Sequence, residues 1–212
     1  MMKLTMVGDS FVGKTSLALQ FTQDFFPHDH KPTITDIETR VLNIEGQDVL
    51  FQIWDTAGQD KFRSLLPLYL RGVDGALLVY DVTKQDSFKN IPTWISEVRK
   101  GASGNPVMAL IGNKTDLKDY KCVTTQDGEQ LASEQGMIFI ETSAKTGHNV
   151  HQAFFEVGKE VLKRTKNGPG PTDFTDHVKV GDKNKSGDHV KVGDKDKSGD
   201  HVKVGDKSGC CS

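Results

Sequence analysis

The chain has little of what extracellular, membrane-spanning or nucleic-acid-binding proteins need. Only three of its 212 residues are cysteine, and Cys122 is isolated, which predicts no disulfide framework and is typical of the reducing cytosol. The formal net charge of −2 does not favour nucleic-acid binding. The longest apolar run, residues 75–80, is too short to cross a bilayer. Met1-Met2-Lys3 leads directly into an apparent strand, so we expect neither a signal peptide nor N-myristoylation, which needs a glycine where Met2 stands.

A glycine-rich segment near the start is a phosphate-binding motif. Residues 8–15, Gly-Asp-Ser-Phe-Val-Gly-Lys-Thr, match G-x-x-x-x-G-K-[ST], in which backbone N–H groups surround phosphates at the start of a helix. Lys14 would add a positive charge between the β- and γ-phosphates, and the Thr15 hydroxyl would ligate Mg²⁺. The loop residues expected to contact a nucleotide are Asp9, Ser10, Phe11, Val12, Gly13, Lys14, Thr15 and Ser16. Alone, the motif is also found in ATPases and kinases.

A second motif, Asn113-Lys114-Thr115-Asp116, follows the first by about a hundred residues. An aspartate carboxylate can accept two hydrogen bonds, from the N1–H and the exocyclic amine of guanine, whereas adenine offers no such pair of donors. The two motifs in this order therefore predict that the chain binds GTP and GDP in preference to ATP.

Strand-like and helix-like patterns alternate up to residue 165. Short apolar runs predict buried strands, and a period-two pattern on each side of Gly46-Gln47 predicts an antiparallel hairpin. The predicted strands cover residues 4–7, 37–45, 48–54, 76–82, 107–111 and 137–140. The predicted helices cover residues 14–23, 87–100, 126–135 and 149–164. The pattern predicts an α/β fold with a doubly wound, mostly parallel six-stranded sheet and one antiparallel edge strand, whose ligand lies at the carboxyl ends of the strands.

The composition changes after residue 165. Residues 168–171, Gly-Pro-Gly-Pro, break the helix, and the word Asp-His-Val-Lys-Val-Gly-Asp-Lys then begins at Asp176, Asp188 and Asp200. Such a segment has too few apolar side chains to offset the entropy of ordering, so we predict a disordered tail over residues 166–209, after a domain of residues 1–165. Residues 210–212 contain Cys210 and Cys211, which predict lipidation, because two lipid chains give a stable anchor where one does not.

Several short sequence motifs make residues 3–164 similar to Rab-type small GTPases of the Ras superfamily. They are Gln-Ile-Trp-Asp-Thr-Ala-Gly-Gln at residues 52–59, Tyr-Leu-Arg-Gly at 69–72, Leu-Val-Tyr-Asp-Val-Thr at 78–83 and the terminal Cys-Cys. The tryptophan before Asp-Thr-Ala-Gly and the double cysteine favour Rab over Ras, Rho or Arf relatives. The resemblance implies the Ras-like P-loop NTPase fold and a membrane-anchored switch that cycles between GTP and GDP and regulates vesicular trafficking.

The resemblance also implies roles for further residues. Thr33 and Asp55 would complete the Mg²⁺ site with Thr15, and the N–H of Gly58 would contact the γ-phosphate. Gln59 would position the attacking water, so that Gln59 and Lys14 are the candidate catalytic residues. The base would be bound by Phe26, Asn113, Lys114, Asp116, Ser143, Ala144 and Lys145. Trp54 and Tyr69 would line the effector surface, whereas Asp81 and Thr83 are expected to be turn and capping residues.

The partners that the resemblance implies are an exchange factor, a GTPase-activating protein (GAP), a prenylation escort, a GDP-dissociation inhibitor and effectors of the GTP state. No arginine lies just before Thr33 to act as an arginine finger, so we expect slow intrinsic hydrolysis that needs a GAP. Prenyl groups on Cys210 and Cys211 would hold a monomeric GTP-binding domain on the cytoplasmic face of endomembranes, with an extracted pool in the cytosol.

Three positions depart from the Rab pattern. Phe11 stands where relatives have glycine or another small residue, Thr35 replaces a glycine, and Glu38 replaces the phenylalanine that joins the effector surface. Two alternatives therefore stay open. A catalytically impaired, guanine-nucleotide-gated binding module is favoured by Phe11 and disfavoured by Gln59. A P-loop nucleotide kinase is disfavoured because the sequence has no arginine-rich lid.

Overall fold

The computed structural model describes residues 1–27, 35–56 and 66–167. The strands of these residues are β1 (Met2–Val7), β2 (Thr35–Ile44), β3 (Gln47–Thr56), β4 (Gly75–Asp81), β5 (Val107–Asn113) and β6 (Ile138–Glu141). Their α-helices are α1 (Lys14–Gln23), α2 (Leu66–Leu70), α3 (Gln85–Lys89), α4 (Ile91–Gly101), α5 (Thr125–Gln135) and α6 (Val150–Asn167). A 3₁₀ turn covers Lys118–Tyr120.

The six strands form one sheet in the order β2-β3-β1-β4-β5-β6. Strand β2 is antiparallel to β3, and all other neighbours are parallel. The predicted fold class is therefore confirmed. Because β1 has β3 on one side and β4 on the other, the strand order changes direction at β1. A crevice opens beyond the carboxyl end of a strand at such a point, and the loop of residues 8–13 occupies this place.

The sheet is covered by helices on both faces, which explains why β4 and β5 are buried along their whole length. On one face, α1 and α6 pack over a core that contains the stacked rings of Phe21 and Phe154. On the other face, α4 and α5 pack over a core that contains Tyr80 and Trp94. Both cores hold the carboxyl ends of the strands in fixed positions, and those ends carry most of the predicted site residues.

The prediction of one helix over residues 87–100 was wrong. The chain forms α3 and α4 instead, with Asn90 between them at φ −80° and ψ −11°. Pro92 lies in the first turn of α4, where its missing N–H removes no helical hydrogen bond, whereas inside one longer helix it would remove one. Of the residues predicted to face inward, Ile91, Ile95 and Val98 are buried, and Phe88 is half-buried.

Two short elements, α2 and the 3₁₀ turn, were not predicted, because five and three residues are too few to show a period. Helix α6 runs to Asn167, two residues past the predicted domain end at 165, and that boundary stays a prediction. The predicted sites Thr33, Gly58, Gln59, Cys210 and Cys211 lie outside the described residues. Among the helices that are described, none combines the length and the apolar character needed to cross a membrane.

Candidate functional site

The loop of residues 8–13 connects β1 to α1 and depends on its two motif glycines. Gly8 has φ +142°, and a Cβ there would lie 2.2 Å from the backbone oxygen of Val79. Gly13 has φ +98°, and a Cβ there would lie 2.4 Å from Nδ2 of Asn113. The loop therefore packs against the end of β4 and against the second motif so closely that no larger residue fits at either position.

Lys14 lies under this loop and is only 6% exposed. Its Nζ donates hydrogen bonds to the carbonyl oxygens of Gly8, at 2.9 Å, and Asp9, at 2.7 Å. Burial lowers the pKa of Lys14 to about 8, although the charges of Asp55 and Asp9 act in the opposite direction. A buried ammonium group beside a loop at the start of a helix fits an anionic ligand, because a phosphate would compensate for the lost solvation.

Thr15 and Asp55 form the second part of the site. Oγ1 of Thr15 donates a hydrogen bond of 2.5 Å to Oδ2 of Asp55, which is 1% exposed near the end of β3. A hydroxyl oxygen next to a carboxylate is the type of donor set that Mg²⁺ prefers, so the residues present fit this ion. The third predicted ligand, Thr33, lies outside the described residues.

Asn113 joins the phosphate loop to the loop after β6. Its Nδ2 donates to the carbonyl oxygen of Val12 at 3.0 Å, and its Oδ1 accepts from the backbone N–H of Ala144 at 3.1 Å. The hydroxyl of Thr142 also donates to this Oδ1, at 3.3 Å. Sequence reasoning assigned Asn113 to the base. The structure adds that both of its polar atoms hold the surrounding loops together, and a 1% exposed side chain is suited to that role.

Asp116 is half-buried, and its carboxylate is the predicted acceptor of hydrogen bonds from guanine. Oγ of Ser143 donates a hydrogen bond of 2.7 Å to Oδ1 of Asp116, and the same Oγ accepts from the backbone N–H of Thr146 at 3.2 Å. Ser143 is 1% exposed, so its hydroxyl is a fixed support for the carboxylate. Lys145, the last residue of this predicted group, is exposed.

Lys114 connects the second motif to the phosphate loop by a different route. Its Nζ lies 2.7 Å from the carbonyl oxygen of Phe11 and 2.7 Å from Oδ2 of Asp81. Burial alone would raise the pKa of Asp81, but hydrogen bonds from Lys114 and Thr83 and the charge of Lys114 outweigh it and hold that pKa below its usual range. Asp81 makes the expected turn with Thr83, accepting its N–H at 2.9 Å. The sequence did not reveal the ion pair with Lys114.

The two predicted phenylalanines lie in different environments. Phe11 is 69% exposed and has φ +65°, a left-handed conformation that is uncommon for a residue with a side chain. Phe26 is half-buried and packs against the core under α1 and α6. Of the other predicted loop residues, Val12 and Ser16 are buried and Ser10 is half-buried.

Trp54 and Tyr69 are neighbours, with ring centroids 6.0 Å apart. The ammonium group of Lys3 lies 4.3 Å from the centre of the Trp54 ring. The β2–β3 register places Ile37 opposite Trp54, and Ile37 is 47% exposed, so it extends this apolar surface although sequence reasoning did not select it. Glu38 lies opposite Ile53 instead, and its carboxylate accepts a hydrogen bond of 3.1 Å from Nε2 of Gln23 on α1.

A comparison with protein-family models agrees with this geometry. The model of the Ras family matches residues 3–163, which contain all of the described site.

Proposed function

Because the chain belongs to the Ras family and is therefore a small GTPase, we propose that it acts as a Rab-like, membrane-anchored switch that regulates vesicular trafficking. The observation that carries the assignment of the site is the contact of Asn113 with both Val12 and Ala144. This side chain holds a phosphate-binding loop and a guanine-binding loop around one crevice. The Rab-like words, the terminal Cys210-Cys211 and the apolar pair of Trp54 and Tyr69 support the finer assignment.

The described residues bind the nucleotide at its two ends. The N–H groups of the phosphate loop and the ammonium group of Lys14 contact the phosphates, and Asp116, supported by Ser143, accepts hydrogen bonds from guanine. Mg²⁺ would be held by Thr15 and Asp55, with Thr33 as the third protein ligand, and when bound it neutralises charge on the β- and γ-phosphates. Lys14 is only 6% exposed, so its attraction to phosphate is stronger than that of an exposed lysine.

Hydrolysis transfers the γ-phosphoryl group of GTP to water and gives GDP and phosphate. Gln59 orients the attacking water, and Lys14 stabilises charge on the phosphates. Without an arginine finger in the chain, the intrinsic rate is expected on the order of 10⁻⁴–10⁻³ s⁻¹, so a GAP must supply the missing charge.

The switch depends on contacts that only the GTP form makes. Thr33 would ligate Mg²⁺ and the N–H of Gly58 would contact the γ-phosphate, and loss of these contacts after hydrolysis would release both segments. GTP-state effectors bind the surface of Trp54 and Tyr69, and an exchange factor accelerates the release of GDP so that GTP can replace it. Two prenyl groups on Cys210 and Cys211, added with the help of an escort, hold the protein on the cytoplasmic face of endomembranes. A GDP-dissociation inhibitor shields these groups in the cytosolic pool.

The proposed chemistry is tested by single-turnover hydrolysis of GTP with Mg²⁺, using the full chain, Gln59→Leu and the control Gln126→Leu. Gln126 is an exposed residue of α5, so its variant makes the same chemical change away from the site. We expect slow hydrolysis by the wild type and the control, and a rate at least about tenfold lower for Gln59→Leu. Equal rates in all three proteins would remove Gln59 from the mechanism.

A guanine-nucleotide-gated binding module is the second candidate, and the exposed, left-handed Phe11 in the phosphate loop favours it. Tight binding of GTP without measurable hydrolysis in the wild type would support this candidate.

The membrane anchor is tested separately, by transfer of a labelled geranylgeranyl group to the wild type and to the Cys210→Ser/Cys211→Ser variant. Equal labelling of the two proteins would contradict prenylation at these cysteines.

A further inference from the structure

The carboxylate of Asp9, in the phosphate loop, is held by the first turn of α4. Nε1 of Trp94 donates a hydrogen bond of 2.8 Å to Oδ1 of Asp9, and Nδ2 of Asn90 donates one of 2.8 Å to Oδ2. Each carboxylate oxygen therefore has a donor from the same helix end. Trp94 is only 2% exposed, so its indole N–H is fixed in direction by the surrounding core.

The side chain of Asn90 is directed at Asp9 although it lies where a helix cap would be. Asn90 ends α3 and precedes α4, and its carbonyl oxygen accepts from the N–H groups of Thr93 and Trp94. Its side chain makes no capping hydrogen bond at the start of α4. An asparagine at such a position commonly caps the helix, and here the amide bonds to the phosphate loop instead.

Asp9 connects α4 to Lys14, because its side chain bonds to α4 and its carbonyl oxygen bonds to Lys14. The carbonyl oxygen of Asp9 accepts the 2.7 Å hydrogen bond from Nζ of Lys14, so the residue held by α4 also positions the buried ammonium group. The loop between Asp9 and Lys14 contains two positive φ angles, at Phe11 and Gly13. The left-handed conformation of Phe11 costs free energy, unlike that of Gly13, so contacts from outside the loop help to keep it populated.

The two hydrogen-bond donors also reduce the repulsion between the carboxylate of Asp9 and the phosphates. A carboxylate in a loop that binds phosphates repels them, and the repulsion is stronger where water is partly excluded. Hydrogen bonds from Trp94 and Asn90 direct the negative charge of Asp9 toward α4 and disperse it, while its carbonyl oxygen remains directed at Lys14.

We propose that Asn90 and Trp94 are positioning residues for the phosphate loop, and that they act through Asp9 to slow the release of GDP. This inference rests on the nucleotide binding proposed above. Neither residue is among those assigned to the nucleotide. Their effect is to keep the loop and Lys14 in the conformation that binds phosphate.

The first test is the rate of GDP release by the full-length Trp94→Phe variant, measured with a fluorescent GDP analogue at fixed Mg²⁺ concentration. Phenylalanine keeps an aromatic ring in the core and removes the N–H donor. Loss of a hydrogen bond to a charged group should speed release by about 10- to 100-fold. The matched control is Tyr80→Phe in the same core, which removes a buried hydroxyl that has no hydrogen-bond partner among the described residues. Its release rate should equal that of the wild type.

A second measurement separates positioning from packing. In an Asp9→Ala background, Trp94→Phe should speed release by less than about twofold, because its acceptor is already gone. A further acceleration as large as in the wild-type background would assign the effect to packing of the ring and overturn the inference. Asn90→Ala, at an exposed position, tests the other hydrogen bond without disturbing the core and should also speed release.

The outcomes separate this inference from the function on which it rests. A wild type that binds no guanine nucleotide would refute both. A wild type that binds GDP tightly, with Trp94→Phe and Asn90→Ala releasing it at the wild-type rate, would refute the positioning role alone.

Discussion

Replacement of Asp116 by asparagine should change the base that the protein binds. Guanine presents two neighbouring donors, N1–H and the exocyclic amine, to the two oxygens of a carboxylate. Asparagine would present one oxygen and one NH₂ group, and the NH₂ would face the amine of guanine, donor against donor. Xanthine has a carbonyl oxygen in place of that amine, so asparagine can accept from its N1–H and donate to its oxygen. The variant should therefore prefer xanthosine nucleotides.

The structure sets the size of this effect. Asp116 is half-buried and its Oδ1 is fixed by Ser143, so the substituted side chain cannot easily rotate to another arrangement. The variant loses one hydrogen bond to a charged acceptor, worth about 1.5–3 kcal/mol, and leaves a donor of the base unpaired, which costs about 1–3 kcal/mol. The sum of about 2.5–6 kcal/mol corresponds to a loss of about 10²–10⁴-fold in affinity for GDP.

Competition between fluorescent GDP and unlabelled GDP, XDP and ADP measures the change directly. Asp116→Asn should bind XDP more tightly than GDP, and neither protein should bind ADP. Ser143→Ala is the matched control, because it removes the support of Asp116 and leaves its two acceptors in place. It should weaken GDP binding by about tenfold without creating a preference for XDP. An Asp116→Asn variant that still prefers GDP would show that another group reads the base.

Two further predictions concern stability. The pKa of Asp81 is held below its usual range in the folded protein, so its ion pair with Lys114 stabilises the fold above about pH 4 and is lost as the pH falls through the lower folded-state pKa. Asp81→Asn should lower the free energy of unfolding by about 1–3 kcal/mol at pH 7, and denaturant titrations should show this difference shrinking toward pH 3. A difference that stays constant between pH 7 and pH 3 would contradict this linkage. Gly13→Ala should lower the free energy of unfolding by about 1–3 kcal/mol more than Gly46→Ala, measured by thermal melts. Both glycines have positive φ, but among the described residues a Cβ at Gly13 meets atoms within 4 Å and a Cβ at Gly46 meets none, so equal losses would assign the effect to backbone strain alone.

Much of the fold could be predicted because its signals are local. Helix α1 has the predicted limits, since the phosphate-binding motif fixes its first turn at Lys14. The buried strands appear as apolar runs, and β5 extends two residues beyond its predicted end at 111 because Gly112 and the polar Asn113 also lie on the strand. The break between α3 and α4 was missed because the apolar spacing continues across Asn90.

The site was predictable as a set of motifs, but its contacts were not. A motif states which residue types meet a ligand, and it gives no information on which distant side chains hold them. Asp9 and Trp94 are 85 positions apart, and Lys114 and Asp81 belong to different strand ends, so only the folded chain brings each pair together. The importance of Ile37 depended likewise on the register between β2 and β3.

The position of Asn113 has a consequence for nucleotide exchange. One amide group contacts the phosphate loop through its nitrogen and the guanine loop through its oxygen, so a displacement of either loop strains the hydrogen bond to the other. The free energies with which the protein holds the phosphates and the base are therefore not independent and do not simply add. An exchange factor that displaced only one of these loops would weaken the binding of both the phosphates and the base, without having to contact both sides of the crevice.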